Sequence, residues 1–265
     1  MTTGKKVDLE NLIDRWARDY FDRNVPSKEK KLMKQGLVAL EIDWKRVKFV
    51  HDEAEYSPAP PAPGKGTPTN NVLFNTSFTN HTEYPQKYTF RTQRTTRSSC
   101  TIAVEQGYVT GVEMNVKLST PCEILELNAG FKREIALTNA EGQTVEEELT
   151  WGVDCEVEVK AHHAGEAKLI ILEEEYKGGF EVKTHISGIA RVIFTNLKNN
   201  NSFMKAIERP VVDIVKEAIA DQWIQPSEAF SIDGNTNTIL SRTKGKCHFR
   251  FGVKQVVEVD EKAIS

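Results

Sequence analysis

His162 and His163 are the first residues of this chain to suggest chemistry, because two imidazoles can share a metal ion. Adjacent residues on a strand point to opposite faces, so these two cannot ligate one ion, and their place before Gly165 predicts a surface turn. The triplets Glu146–Glu148 and Glu173–Glu175 are candidate cation sites, for which solvated strand ends are the simpler expectation. Cys100, Cys122, Cys155 and Cys247 are too dispersed for a paired zinc motif and are expected to be free thiols packed as small apolar residues. Gly64, Lys65, Gly66 and Thr67 have the composition of a phosphate loop, but neither its spacing nor a following helix. GxSxG, HExxH and glycine-rich nucleotide fingerprints do not occur. No catalytic residue, metal or cofactor is therefore assigned, and the chain is not expected to be an enzyme.

The elements that would carry these residues say more. In SSCTIAVEQGYVTGVEMNVKLSTPCE (Ser98–Glu123), Val112, Met114, Val116 and Leu118 fall on one face, and Glu113, Asn115, Lys117 and Ser119 on the other. In the preceding arm Ser98, Cys100, Ile102 and Val104 share a face, opposite Ser99, Thr101, Ala103 and Glu105. A turn centred near Tyr108 sets Val104 against Val112, Ile102 against Met114 and Cys100 against Val116, so the apolar faces coincide in a hairpin over about residues 98–120.

Upstream, Asp8 is placed to cap a helix whose stripe is Leu9, Leu12, Ile13, Trp16, Ala17, Tyr20 and Phe21. Ser27 is placed to cap a second helix reaching about Val38, and Leu40, Ile42 and Trp44 then alternate as in a strand. Tyr56–Asn71 is a proline-rich connector and marks a module boundary. Beyond it the chain reads as long strands: a hydroxyl-rich one from Asn75, then EILEL, REIAL and WGVDCEVEVK, then three more separated by Gly165, Gly178–Gly179 and Gly188. Pro210 opens a helix, and closing strands are expected to pair back with the Leu40–Phe49 strand.

With 39% hydrophobic and 28% charged residues, the composition is that of a soluble globular protein. A net charge of -3 gives no case for phosphate binding, so nucleic acid is not an expected partner. The opening MTTGKKVDLENLIDRW lacks the apolar core of a secretory signal. A soluble protein is expected, cytoplasmic or exported by a non-classical route.

Three features together resemble the aerolysin-like β-pore-forming proteins of the epsilon-toxin and mosquitocidal-toxin superfamily, with their cytotoxic-protein relatives in animals. They are the hydroxyl-rich strand SFTNHTEYPQKYTFRTQRTTRSS, the amphipathic hairpin closed by LSTPCEILELNAGF, and the long-strand pair HHAGEAKLIILEEEYKGGFEVKTHISG. The resemblance implies a mainly β, elongated fold with a few α-helices, in which long twisted antiparallel strands join a small α/β head. It implies a pore-forming module over 71–195, and a head or receptor-binding module made of 1–70 together with 196–265. It also implies a protein acting at a target cell membrane, in toxin or host-defence roles: it binds a lipid, glycan or protein receptor, forms a homo-oligomer, and inserts its hairpins as a β-barrel.

On that reading Ile102, Val104, Val112, Met114, Val116 and Leu118 face lipid, and Ser99, Thr101, Glu113, Asn115 and Lys117 line the lumen. Burying the six apolar side chains contributes at most roughly 9 to 18 kcal/mol per protomer. Two unpaired hairpin edges in hydrocarbon cost more than that, so only a closed oligomeric barrel permits insertion. Trp16, Tyr20 and Phe21 are the candidates for receptor contact, although aromatic residues in a helical stripe more often pack in a core. The alternative is a soluble binding (lectin-like) or storage protein that shares the fold without inserting.

Overall fold

The computed structural model describes residues 6–62, 65–227 and 230–264. Strand β1 (Lys6–Asp8) leads into α1 (Leu9–Asn24), where the Asp8 carboxylate accepts the Asn11 amide at 3.1 Å as the cap. The predicted stripe is buried except for the half-exposed Tyr20. Helix α2 (Ser27–Lys34) is shorter than expected, stopping before Gly36 at φ +69°, and its N-terminal cap is Pro26 rather than Ser27.

Then come β2 (Val38–Asp43), β3 (Val47–His51), β4 (Glu55–Ser57), β5 (Thr69–Asn80), β6 (Gln86–Val109), β7 (Glu113–Ser119), α3 (Cys122–Glu126), β8 (Glu134–Asn139) and β9 (Gly142–Val159). After these follow β10 (His163–Asn196), β11 (Ser202–Pro210), α4 (Val211–Ala220), β12 (Phe230–Asp233) and β13 (Thr238–Ala263). EILEL is thus not a strand. Pro121 starts it as a helical turn, its carbonyl accepting from the amides of both Ile124 and Leu125.

Strand β10 is the axis of the molecule. Its 34 residues extend up to roughly 110 Å at about 3.3 Å per residue. The three strands expected here are one, because its glycines mark close approaches rather than turns. A Cβ on Gly178 would overlap the Tyr176 hydroxyl, which itself donates to the Pro58 carbonyl at 2.7 Å. At Gly188, φ is +98° and a Cβ would lie 2.1 Å from the Arg46 carbonyl oxygen.

Along one edge β10 pairs in turn with β5, β4, β3 and β2; along the other it pairs with β13 and then β11. The closing strand therefore lies against β10, not against Leu40–Phe49, because β2 and β3 already take the opposite edge. Strand β13 also pairs with β6 over Ser99–Gln106, and β6 pairs with β9 over Gln86–Ala103.

Among the described residues, two apolar clusters result. The larger packs α1 and α4 on the upper sheet and extends under β7 and β8. The smaller, built on Phe90, Val157, Val159, Ala167 and Leu169, joins the lower β6–β9 ribbon to β10.

Candidate functional site

The amphipathic segment found in the sequence is divided between two sheets. Ile102 lies opposite Cys247 and Gln143, and Cys100 opposite Phe249 and Val145, so the expected pairing with Met114 and Val116 does not form. Strand β7 pairs instead with β8 in a separate two-stranded sheet, Val116 opposite Leu137 and Leu118 opposite Ile135. The faces themselves are as expected. Ile102, Val104, Met114, Val116 and Leu118 are buried, whereas Thr101, Glu113, Asn115 and Lys117 are exposed and Ser99 is intermediate. Val112 is the departure: it sits at the turn and is 90% exposed.

Strand β8 completes the hairpin with the same alternation. Ile135 and Leu137 are buried, while Glu134, Ala136 and Thr138 are exposed. REIALTN carries this period in the sequence and was the signal for the missing arm.

Side-chain hydrogen bonds hold the hairpin to the body. The Ala54 amide donates to Ser119 Oγ at 2.7 Å, and the hydroxyl of Tyr56 donates to the Ser119 carbonyl at 2.6 Å. The Tyr108 hydroxyl donates to the Asn115 carbonyl, and Gln143 Nε2 donates to the Ala136 carbonyl at 2.6 Å. Burial pushes both tyrosine hydroxyls up, so they remain protonated donors.

Between β3 and the polar face of the hairpin lies a cavity of about 550 Å³ lined by His51, Asp52, Lys117, Ser119 and Glu134 among others. His51 Nδ1 is 3.0 Å from Thr184 Oγ1. Partial burial, followed by the charge of Lys117, holds its imidazole below the usual value.

Strands β6 and β9, which enter and leave this hairpin, form the lower ribbon. Its exposed face carries Arg91 with Asp154 at 3.2 Å, Lys87 with Glu156 at 3.6 Å, and Arg97 with Glu148 at 3.5 Å and Glu146 at 3.7 Å. Among the described residues, β9 has no partner on its second edge, and neither has β6 over Gln86–Ser98.

The other candidates separate from this site. Trp16 and Phe21 are buried in the head core, Phe21 packing on Phe194 with ring centroids 4.6 Å apart, so neither reaches the surface. The triplet Glu173–Glu175 is not a solvated strand end, because Glu173 and Glu174 are buried and Glu173 pairs with Arg250 at 2.7 Å. His162 sits in the expected turn at φ +54°. Lys65–Thr67 run toward β5 rather than into a helix, and Gly64 lies outside the described residues.

All four cysteines are free. Burial raises the Cys247 thiol to about 11 and the Cys100 thiol as well, which denies both the thiolate a nucleophile needs, whereas Cys122 is exposed rather than packed. Among the described residues no group of His, Cys, Asp and Glu is placed to hold a metal ion, and no helix is long and apolar enough to cross a membrane.

Comparison with solved structures shows the same fold elsewhere. A non-toxic crystal protein from Bacillus thuringiensis matches with a TM-score of 0.61 at 14% identity, covering 98% of this chain and 99% of that one. The Cry23Aa1 and Cry37Aa1 binary protein complex contains a chain matching with a TM-score of 0.54 at 16% identity, over 98% of this chain and 91% of that one. No curated protein matches the sequence. The elongated, mainly β architecture agrees with the aerolysin-like fold expected from the sequence. The family described as Clostridium epsilon toxin ETX/Bacillus mosquitocidal toxin MTX2 matches residues 63–265. The chain belongs to that family.

Proposed function

We propose that this protein forms membrane pores by releasing the β7–β8 hairpin and inserting it as part of an oligomeric β-barrel. The observation that carries this reading is the attachment of the hairpin. Its buried apolar face is held by packing and a few side-chain hydrogen bonds, with no β-ladder to the main sheet among the described residues, while the strands on either side of it are paired with each other.

Met114, Val116, Leu118, Ile135 and Leu137 then face lipid, and Glu113, Asn115, Lys117, Glu134 and Thr138 face the lumen. Lys117 on the lipid side would cost about 2–4 kcal/mol near the midplane, which supports this assignment. Ile102, Val104, Ser99 and Thr101 continue the same two faces above the membrane, in the part of β6 already paired with β13 and, as far as Ala103, with β9. Val112, in the turn before β7, joins the lipid face as β7 lengthens. Counted from Thr110 to Thr120 and from Phe131 to Glu141, each arm has roughly eleven residues, the length a tilted strand needs to span the bilayer. Cys122–Glu126 becomes the tip.

Moving the apolar face from protein to lipid is close to neutral, so edge pairing decides the outcome. The open edges of the β6–β9 ribbon supply the pairing sites for neighbouring copies. In modular terms, 71–195 carries the inserting segment, and 1–70 with 196–265 carries the head, with β10 and β13 running through both.

The test is a reversible lock. With Cys122 and Cys155 changed to Ser, Ala54→Cys and Ser119→Cys put thiols on two neighbouring residues, the backbone amide of one now meeting the side-chain hydroxyl of the other at 2.7 Å. Dye release from susceptible membranes is expected to vanish on oxidation and return on reduction. Undiminished release by the oxidised protein overturns hairpin release. A protein that binds membranes but never oligomerises or leaks belongs to the second reading, a non-inserting protein of this fold; that reading is supported by the similarity to a crystal protein described as non-toxic.

A further inference from the structure

The β10–β11 turn carries two apolar side chains in the open: Leu197 is 46% exposed and Phe203 is 67% exposed. They protrude from a tight reversal in which Asn200 and Asn201 both take positive φ. The C-terminal end of α2 lies beside it, since the Leu197 amide donates to the Leu37 carbonyl at 2.9 Å and Val38 pairs with Asn196.

This end of the head is basic. Helix α2 reads SKEKKLMK, with Lys28, Lys30, Lys31 and Lys34 against Glu29 alone. Lys198 follows Leu197 in the turn, and Lys205 rests over the Tyr20 ring, 5.0 Å from its centroid. None of these six lysines forms an ion pair with a carboxylate among the described residues. Elsewhere on the sheets Lys87, Arg91, Arg97, Lys117, Lys177 and Lys246 are paired, and the lysines without an ion pair, such as Lys48 and Lys254, stand singly rather than in a cluster.

Uncompensated lysines around protruding apolar side chains, on a chain of net charge -3, fit a flat and deformable negative surface. A bilayer interface accepts the apolar tips below its headgroups, while the lysine stems reach up to the phosphates. We infer that the β10–β11 turn together with α2 is a docking surface for an anionic lipid bilayer. The inference rests on the pore-forming reading, for which it names the first contact.

Each lysine close to an anionic surface strengthens binding about fivefold at low ionic strength, and salt weakens it. The full chain is mixed with phosphatidylcholine vesicles, with and without phosphatidylserine, and sedimented. Binding is expected only with phosphatidylserine and is expected to fall with added salt. Lys31→Glu with Lys34→Glu, and separately Leu197→Ser with Phe203→Ser, are each expected to reduce it by about tenfold or more. All four positions are exposed, so an unchanged thermal midpoint and circular dichroism spectrum separate lost docking from lost folding.

Equal binding to both vesicle types, or unaltered binding by both variants, overturns the proposal. So does binding confined to cell membranes bearing a glycan or protein receptor. Dye trapped in the same vesicles reads the pore separately: docking without release counts against pore formation alone, and release without docking through this end counts against the docking surface alone.

Discussion

Two stretches with the same alternating pattern have different neighbours. Ser99–Ala103 of β6 is hydrogen-bonded on both edges, to β13 and to β9, whereas among the described residues Met114–Ser119 of β7 pairs with β8 alone, in a sheet of its own. Both bury one apolar face, and Ile102 and Leu118 are equally dry. What differs is the number of ladders that must break to free them. Burial alone therefore does not mark a segment as fixed. A dry face with one ladder can leave as a unit, and a dry face with two holds the body together.

The largest effect should come from damaging the fixed stretch. A Cβ at Gly245 would stand 2.2 Å from the Ala103 carbonyl oxygen and 2.7 Å from the Phe180 ring, and the backbone there cannot yield cheaply. Gly245→Val is expected to cost about 3 kcal/mol or more, read as a lower urea midpoint for the whole molecule. A wild-type midpoint would mean that the β6–β13 ladder is looser than its register shows.

Truncation of the two dry residues sharpens the contrast. Ile102→Ala and Leu118→Ala should each cost about 2–4 kcal/mol locally, but hydrogen exchange should distinguish them. The first should lower protection across β6, β10 and β13, and the second only in β7 and β8. Equal loss of protection throughout by both variants would make the two stretches one cooperative unit and remove the basis for separate release.

Alternation revealed these faces in the sequence because a period of two fixes which side chains are buried, whatever the partner. It could not reveal the partner. For β6 the choice is made by a strand some 40–70 residues further on, where Glu146, Glu148, Asp154 and Glu156 meet Arg97, Arg91 and Lys87. Those acids share one parity and those cations another common one, so charge matching was the available signal. The glycines of β10 misled for a related reason. A glycine that avoids an overlap, as at Gly178 against Tyr176, reads in sequence like one that makes a turn. Helix α1 was fully legible because its cap and its stripe are both local.

Acid should loosen the hairpin more than the fixed stretch. His51 faces Lys117 and Glu134 across the cavity, with Asp52 beside it, and its folded pKa is depressed by burial first and by Lys117 second. The unfolded imidazole therefore takes up a proton at a higher pH than the folded one. Its contribution is intact above the usual value of 6.5 and is lost as pH falls through the folded pKa. Urea midpoints compared at about pH 7.5 and about pH 5 should fall on the acid side, and His51→Gln should flatten that difference. An identical slope in the variant would assign the acid sensitivity to other groups.

The smallest effect tests whether Lys117 acts on this hairpin through its ion pair or through His51. Lys117 Nζ lies 3.1 Å from Glu134 Oε2, with both side chains more than half exposed, so the pair contributes less than about 1 kcal/mol. Lys117→Met at neutral pH should therefore move the midpoint barely at all. It also removes the charge that helps depress His51, letting the folded imidazole rise toward its usual value and narrowing the pH interval over which stability is lost. The variant should thus be nearly silent at about pH 7.5 and relatively more stable than the parent at about pH 5. The same substitution in a His51→Gln background should lose the acid-side gain. If the gain persists there, Lys117 acts on the hairpin independently of His51, and the cavity is not where the polar face senses pH.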